Sequence, residues 1–369
     1  MLQSSQHPQV SDFVVYPALQ NSFNVQEQED IQNLKSASFK YQKEHLEQKD
    51  IDIISQALLN FQSLEQLSFQ LEYSEIQQKA DLKYIFRSIS SIKSIKHLRL
   101  YFINVDFDDF MCIDLAQCLG NMIQLEDIDL SLHRNKISEK GINCLIQSIN
   151  QLDSLQSLQI NLNYNKLKDE GCIALAKGLK QMKNLQHLRV QLWANQIGNA
   201  GCYEFGNSLS ELFNLKALSI SMSQNWIGDQ GLIMISQGIS KLQRLCCLDL
   251  DFSYNKIQDS GVVKLSHSLE NLRDLLLLKI NFKYNHCSLR SEQQLFLSLM
   301  KPSSLLQYQI YIDDEGIQDL RIALDKKIQV NQFILSRQIL VFEAYFKHVA
   351  PFLPGILISP ISNHWDFFF

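Results

Sequence analysis

Reactive side chains are plentiful in this chain, and what matters first is whether any of them gather. Nine histidines and eight cysteines are available as ligands or nucleophiles. The cysteines, Cys112, Cys118, Cys144, Cys172, Cys202, Cys246, Cys247 and Cys287, include no CxxC pair, so neither a zinc site nor a dithiol motif is written here. His97, His133 and His187 do not converge with a cysteine or carboxylate at ligand spacing. The best acid–base couple on offer is His133 with Asp129. No GxGxxG, P-loop, HExxH, GxSxG or kinase signature occurs. The expectation is a protein with no catalytic residue, no cofactor and no metal.

Recognition is the other chemistry that side chains can do, and here the candidates are sharper. Trp193 and Trp226 stand where polar residues are expected, and tryptophan is enriched among residues that dominate binding. Asp249 and Asp251 form an acidic pair with Lys279 and Lys283 thirty residues on. They read either as a site for a basic segment or as charges that satisfy each other, an arrangement that adds little stability when exposed. Arg189, Gln191 and Ser221 complete the predicted partner-binding set. Tyr164, Tyr254 and Tyr284 recur one position before an asparagine and read as packing at a sheet edge.

These residues share a surface only because of the pattern that carries them. Leu64, Ile95, Leu125, Leu155, Leu185, Leu215, Leu245, Leu275 and Leu305 open successive units, the first interval being 31 residues and each later one 30. A period this strict predicts a solenoid. Counted from the opening residue, offsets +3, +5 and +7 are apolar, as in Leu218, Ile220 and Met222. That period of two marks a short strand with one buried face. Offset +10 is Asn135, Asn165, Asn195, Asn225, Asn255 and Asn285 in succession, a column of amides suited to bonding the backbone of adjacent turns. Offset +14 is acidic or amide (Glu139, Asp169, Asn199, Asp229, Asp259), and its short side chains suit a helix N-cap, a role Glu139 fits poorly. Glycine follows at +16, and apolar residues then take helical spacing, as in Cys172, Leu175, Leu179 and Met182.

Residues 154–176, "SLQSLQINLNYNKLKDEGCIALA", show the unit most clearly. Here the sequence resembles the ribonuclease-inhibitor-like subfamily of leucine-rich repeats over roughly residues 50–330. The resemblance implies an α/β leucine-rich repeat solenoid, a horseshoe with a parallel concave sheet and convex helices. Cys112, Cys172 and Cys202 then sit in the first helix core position. The polar offsets +4, +6 and +8 point out from the concave face, which at about 4.8 Å per strand spans roughly 40 Å. On this reading the function is a non-catalytic scaffold or adaptor that recognises a protein on that face. Two alternatives stay open. The subfamily resembles the Ran GTPase activators, with Arg99, Asn104 and Arg134 toward the N-terminal edge, although the acidic tail usual there is missing. The chain also fits a structural subunit docked through its helices and C-terminal tail.

Composition sets the outer limits. A net charge of −5 argues against binding a phosphate backbone, so no nucleic acid partner is expected. No run of apolar residues is long enough to span a bilayer, and no secretory leader is written. Together with unpaired cysteines this predicts a cytoplasmic protein. Residues 1–47 read as a polar leader and cap, 48–329 as the repeat domain, and 330–369 as an apolar cap or docking tail. The tail includes "HVAPFLPGILISP" and ends in "WDFFF"; its apolar character also allows peripheral membrane docking.

Overall fold

The computed structural model describes residues 13–15, 34–41, 45–72, 75–76, 82–301, 304–312 and 318–336. Most of the leader and the tail beyond Ser336 lie outside them. The chain divides into two units, Met1–Lys166 and Leu167–Phe369. The first contains β1 (Phe13–Val15), β2 (Ser36–Tyr41), β3 (His45–Leu46), α1 (Gln48–Leu59), β4 (Gln66–Glu72) and β5 (Glu75–Ile76). It continues with α2 (Leu82–Ser91), β6 (His97–Ile103), α3 (Asp109–Gly120), β7 (Asp127–Ser131), α4 (Glu139–Ile149) and β8 (Ser157–Asn161). The second contains α5 (Lys168–Leu179), β9 (His187–Gln191), α6 (Asn199–Leu209), β10 (Ala217–Ser221), α7 (Asp229–Ile239) and β11 (Cys247–Asp251). It ends with α8 (Asp259–Leu269), β12 (Leu277–Asn281), α9 (Leu289–Leu299), β13 (Gln307–Tyr311) and α10 (Gln318–Ser336).

Strands in each unit pair in parallel and in sequence order, as expected from strand–helix alternation. Leu218 of β10 lies opposite Leu248 of β11, and Ile220 opposite Leu250. The longer first interval is also real, because Gln66 of β4 pairs with His97 of β6. The pattern starts one unit ahead of Leu64: Ser36 of β2 pairs with Gln66, and Leu34 is buried in the matching column. The apolar offsets form the core, with Leu218, Leu248, Leu250 and Leu278 fully buried. At the far end α10 covers the last repeat. Its Asn331 and Gln332 amides donate to the Leu305 and Leu306 carbonyls at 2.8 and 2.7 Å, which blunts an otherwise open sheet edge.

The asparagine column bonds from turn to turn. Asn225 Oδ1 accepts from the backbone of Asn195 and Ile197 at 3.1 and 2.9 Å, while its Nδ2 donates to Leu192 and Met222 carbonyls at 2.9 and 3.1 Å. Asn255 repeats this with Ile227 N–H and the Met222 and Phe252 carbonyls. Four backbone groups that neither strand nor helix can reach are satisfied by one buried amide, and leaving each unpaired would cost about 1–3 kcal/mol.

The acidic column corrects its predicted role. Offset +14 lies in the first turn of its helix, and at Asp109, Asp169, Asn199, Asp229 and Asp259 the side chain reaches the start of the following repeat's helix instead of capping its own, whereas Glu139 makes no such bond among the described residues. Asp169 Oδ1 accepts from the N–H groups of Gly198 and Gly201, both at 2.8 Å, at the start of α6. Asn199 Oδ1 does the same for Gly228 and Gly231 of α7 at 2.9 and 3.0 Å. Asp259 reaches Ser288 N and Oγ, both at 2.6 Å, before α9. Asp109 treats Ser138 and Gly141 of the first unit likewise. The glycine at +16 follows from this contact: a Cβ on Gly201 would stand 2.8 Å from Asp169 Oδ1.

Candidate functional site

The polar offsets of the second unit form rows across the helix-free face of its strands. Arg189 of β9, Ser219 of β10, Asp249 of β11 and Lys279 of β12 are in register, and so are Gln191, Ser221, Asp251 and Asn281. The predicted residues Arg189, Gln191, Ser221, Asp249, Asp251 and Lys279 are half-buried, whereas Lys283 and both tryptophans are exposed. Ser219 and Ser223 are buried within these rows, although their offsets point out from the sheet. Ser219 donates to Asp249 at 3.2 Å, and Ser223 Oγ meets Ser253 Oγ at 2.9 Å.

The acidic pair is only half-exposed. Burial pushes the Asp249 carboxyl above the usual aspartate range, against the pull of Lys279, the Ser219 hydroxyl and Arg189. Asp249 and Lys279 lie opposite each other yet form no ion pair among the described residues. Asp251 Oδ1 accepts from Ser253 N at 3.1 Å and Ser253 Oγ at 2.7 Å, so it closes the end of its own strand.

Beyond the strand ends lies a feature the sequence did not advertise. At offset +9 the backbone is left-handed at Gln224 (φ 52°), Tyr254 (φ 54°) and Tyr284 (φ 60°). That geometry is uncommon for non-glycine residues. It breaks the strand alternation that would have turned these side chains inward. Tyr254 and Tyr284 are therefore 54% and 57% exposed and stack on each other with centroids 4.2 Å apart. This overturns the reading of the pair as edge packing. Trp193 donates from Nε1 to Gln224 Oε1 at 2.8 Å, and Trp226 follows two residues later, 57% exposed. Four exposed aromatic rings thus come from four consecutive repeats. Gln224, Tyr254 and Tyr284 were missed as site residues because alternation alone assigns offset +9 to the inner face.

The first unit holds the acid–base candidates, and they do not assemble. Asp129 accepts from the Tyr101 hydroxyl at 2.5 Å, while His133 Nδ1 faces Ser131 Oγ at 3.5 Å. Burial holds the His133 imidazole below its usual pKa. Arg134 lies over the Tyr164 ring, 5.3 Å from its centroid. Among the described residues no three His, Cys, Asp or Glu side chains are placed to hold a metal ion. All eight cysteines are free thiols. Cys112, Cys172 and Cys202 are buried in the core, and burial pushes their thiols well above the ordinary range. No described helix is long and apolar enough to cross a membrane.

Three segments, residues 154–176, 213–236 and 248–266, match the leucine-rich repeat family model. With the parallel strands and alternating helices described above, the fold is an α/β leucine-rich repeat solenoid. Among solved structures, the complex of Rad7 and Elc1 in yeast is similar with a TM-score of 0.50 and 19% identity, covering 78% of this chain and 67% of that one. The TLR13–ssRNA13 complex gives 0.39 and 16%, over 78% and 41%. Actin-binding site 2 of leiomodin-1 gives 0.33 and 15%, over 40% and 81%. Of these, the Rad7–Elc1 likeness bears on the fold and on nothing beyond it. A comparison with curated proteins gives no match.

Proposed function

We propose that this chain is a non-catalytic protein-binding scaffold of the ribonuclease-inhibitor-like kind, gripping a protein partner on the helix-free face of its second unit. One observation carries the reading. Trp193, Trp226, Tyr254 and Tyr284 expose large rings in four successive repeats, a concentration that isolated surface residues do not produce. Aromatic side chains bury much area at low entropic cost, which is why interfaces enrich them. The half-buried row of Arg189, Asp249 and Lys279 supplies a fixed polar floor beside them. A reducing compartment suits eight unpaired thiols, and we assign the chain to the cytoplasm on that ground.

The test is affinity capture from the native cells with the wild type, a Trp193→Ala/Trp226→Ala variant and a Tyr203→Ala control. Tyr203 is 54% exposed on α6, away from the strand face. Circular dichroism first establishes that each variant is folded. A partner lost with the face substitutions and kept with Tyr203→Ala is the expected result. A partner set indifferent to the face substitutions would overturn the reading and direct attention to the helices.

A further inference from the structure

Beside the exposed rings of the second unit the exposed charges are lysines, whereas the Asp249–Asp251 pair lies half-buried on the strands. Both carboxylates lie half-buried on the strands, Asp249 accepting from the Ser219 hydroxyl and Asp251 from Ser253 N and Oγ. The cations nearest the aromatic edge are free. Lys256 and Lys283 are exposed, and neither side chain has an ion pair or hydrogen bond among the described residues. Their positions interleave with the rings. Lys256 stands at the same offset as Trp226 in the next repeat and two residues after Tyr254. Lys283 immediately precedes Tyr284, and Tyr254 N donates to the Lys283 carbonyl at 2.9 Å.

We propose that this edge docks an acidic segment of a partner protein, its carboxylates set against Lys256 and Lys283 and its apolar side chains against Trp226, Tyr254 and Tyr284. The inference rests on the protein-binding reading above and names the chemistry of the partner. One feature argues for a peptide over a single-stranded nucleic acid. Tyr254 and Tyr284 stack on one another at 4.2 Å, so one face of each ring is already covered and no base can be inserted between them. Two free cations beside apolar rings instead match a short segment that mixes aspartate or glutamate with apolar residues.

A randomised dodecapeptide library is panned on the full chain and on a Lys256→Glu/Lys283→Glu variant whose circular dichroism and melting match the wild type. The wild type should enrich peptides rich in Asp and Glu with aromatic or aliphatic residues, and the variant should enrich Lys and Arg instead. The leading acidic peptide, followed by fluorescence anisotropy, should bind the variant about tenfold more weakly, as expected for losing close charge pairs, and should weaken as salt is raised. Lys256→Gln/Lys283→Gln, which removes attraction without adding repulsion, should show a smaller loss and no inversion. An oligothymidine that binds the wild type more tightly than the peptide would overturn the proposal. So would neutral peptides whose binding ignores the lysines; if Trp226→Ala/Tyr254→Ala abolished it, the acidic inference would fall and the aromatic surface would stand. Enrichment indifferent to both sets of substitutions, or none at all, would remove both.

Discussion

Gly231 shows how closely one repeat reads the next. Its N–H donates to Asn199 Oδ1 at 3.0 Å, and an added Cβ would lie 2.8 Å from that oxygen and 2.9 Å from Ile227 Cγ2. Its backbone is not left-handed, so space and not conformation demands glycine. Gly231→Ala should cost about 1–3 kcal/mol, typical of forced overpacking, measured by urea unfolding. Two aspartates should respond to acid in opposite directions. The Ser288 hydroxyl and N–H hold Asp259 below its ordinary range. Its contribution is present above the unfolded pKa and is lost as pH falls through the lower folded value, below about 4. Asp249 is raised, chiefly by burial, so the folded state takes up its proton first and this site gains stability as pH falls through its folded pKa. Unfolding across pH should show Asp259→Asn flattening the acid loss and Asp249→Asn steepening it. Equal slopes for the two variants would contradict the assignment.

Helix packing in the second unit depends on backbones that approach without side chains between them. In α6 a Cβ on Gly206 would stand 2.2 Å from the Met234 carbonyl oxygen of α7, and one on Gly238 of α7 would stand 2.2 Å from the Gly206 oxygen. Neither obstacle is a flexible side chain, so α6 and α7 would have to separate. Gly206→Ala should therefore destabilise by at least about 2 kcal/mol, and Gly238→Ala comparably, while Gly120→Ala, which meets only Ser148 at 3.8 Å, should be near neutral. A thermal melt of the three variants checks the order. The same elements display the candidate site. Five-residue strands present Arg189, Asp249 and Lys279 in one row, and the turns that follow lift Tyr254 and Tyr284 out of it.

At the scale of the whole chain, repeats that bond chiefly to their sequence neighbours make stability a sum of local and nearest-neighbour terms. Hydrogen exchange on Gly206→Ala should lose protection most in α6 and α7 and progressively less in repeats farther along the chain. A uniform loss across all repeats would show instead that the array unfolds as one cooperative block.

Much of this was legible beforehand because it is periodic. Thirty-residue spacing, apolar alternation and the asparagine column each repeat often enough to identify strands, helices and core, and the amides bond between turns as their burial requires. The rest depended on which group meets which across repeats. Offset +14 has the composition of an N-cap, but only the packed structure shows its carboxylate reaching the next helix, since a cap looks alike in sequence whichever helix it serves. Asp249 and Asp251 read as exposed charge because alternation reports a face and not the depth of a side chain beneath its neighbours. Tyr254 and Tyr284 read as edge packing because a left-handed residue breaks alternation without leaving a glycine to announce it. Sequence by itself determined the repeat, its register and its core, which follow from the period. Tertiary structure alone decided which polar groups were spent on each other and which, like Lys256 and Lys283, remained for a partner.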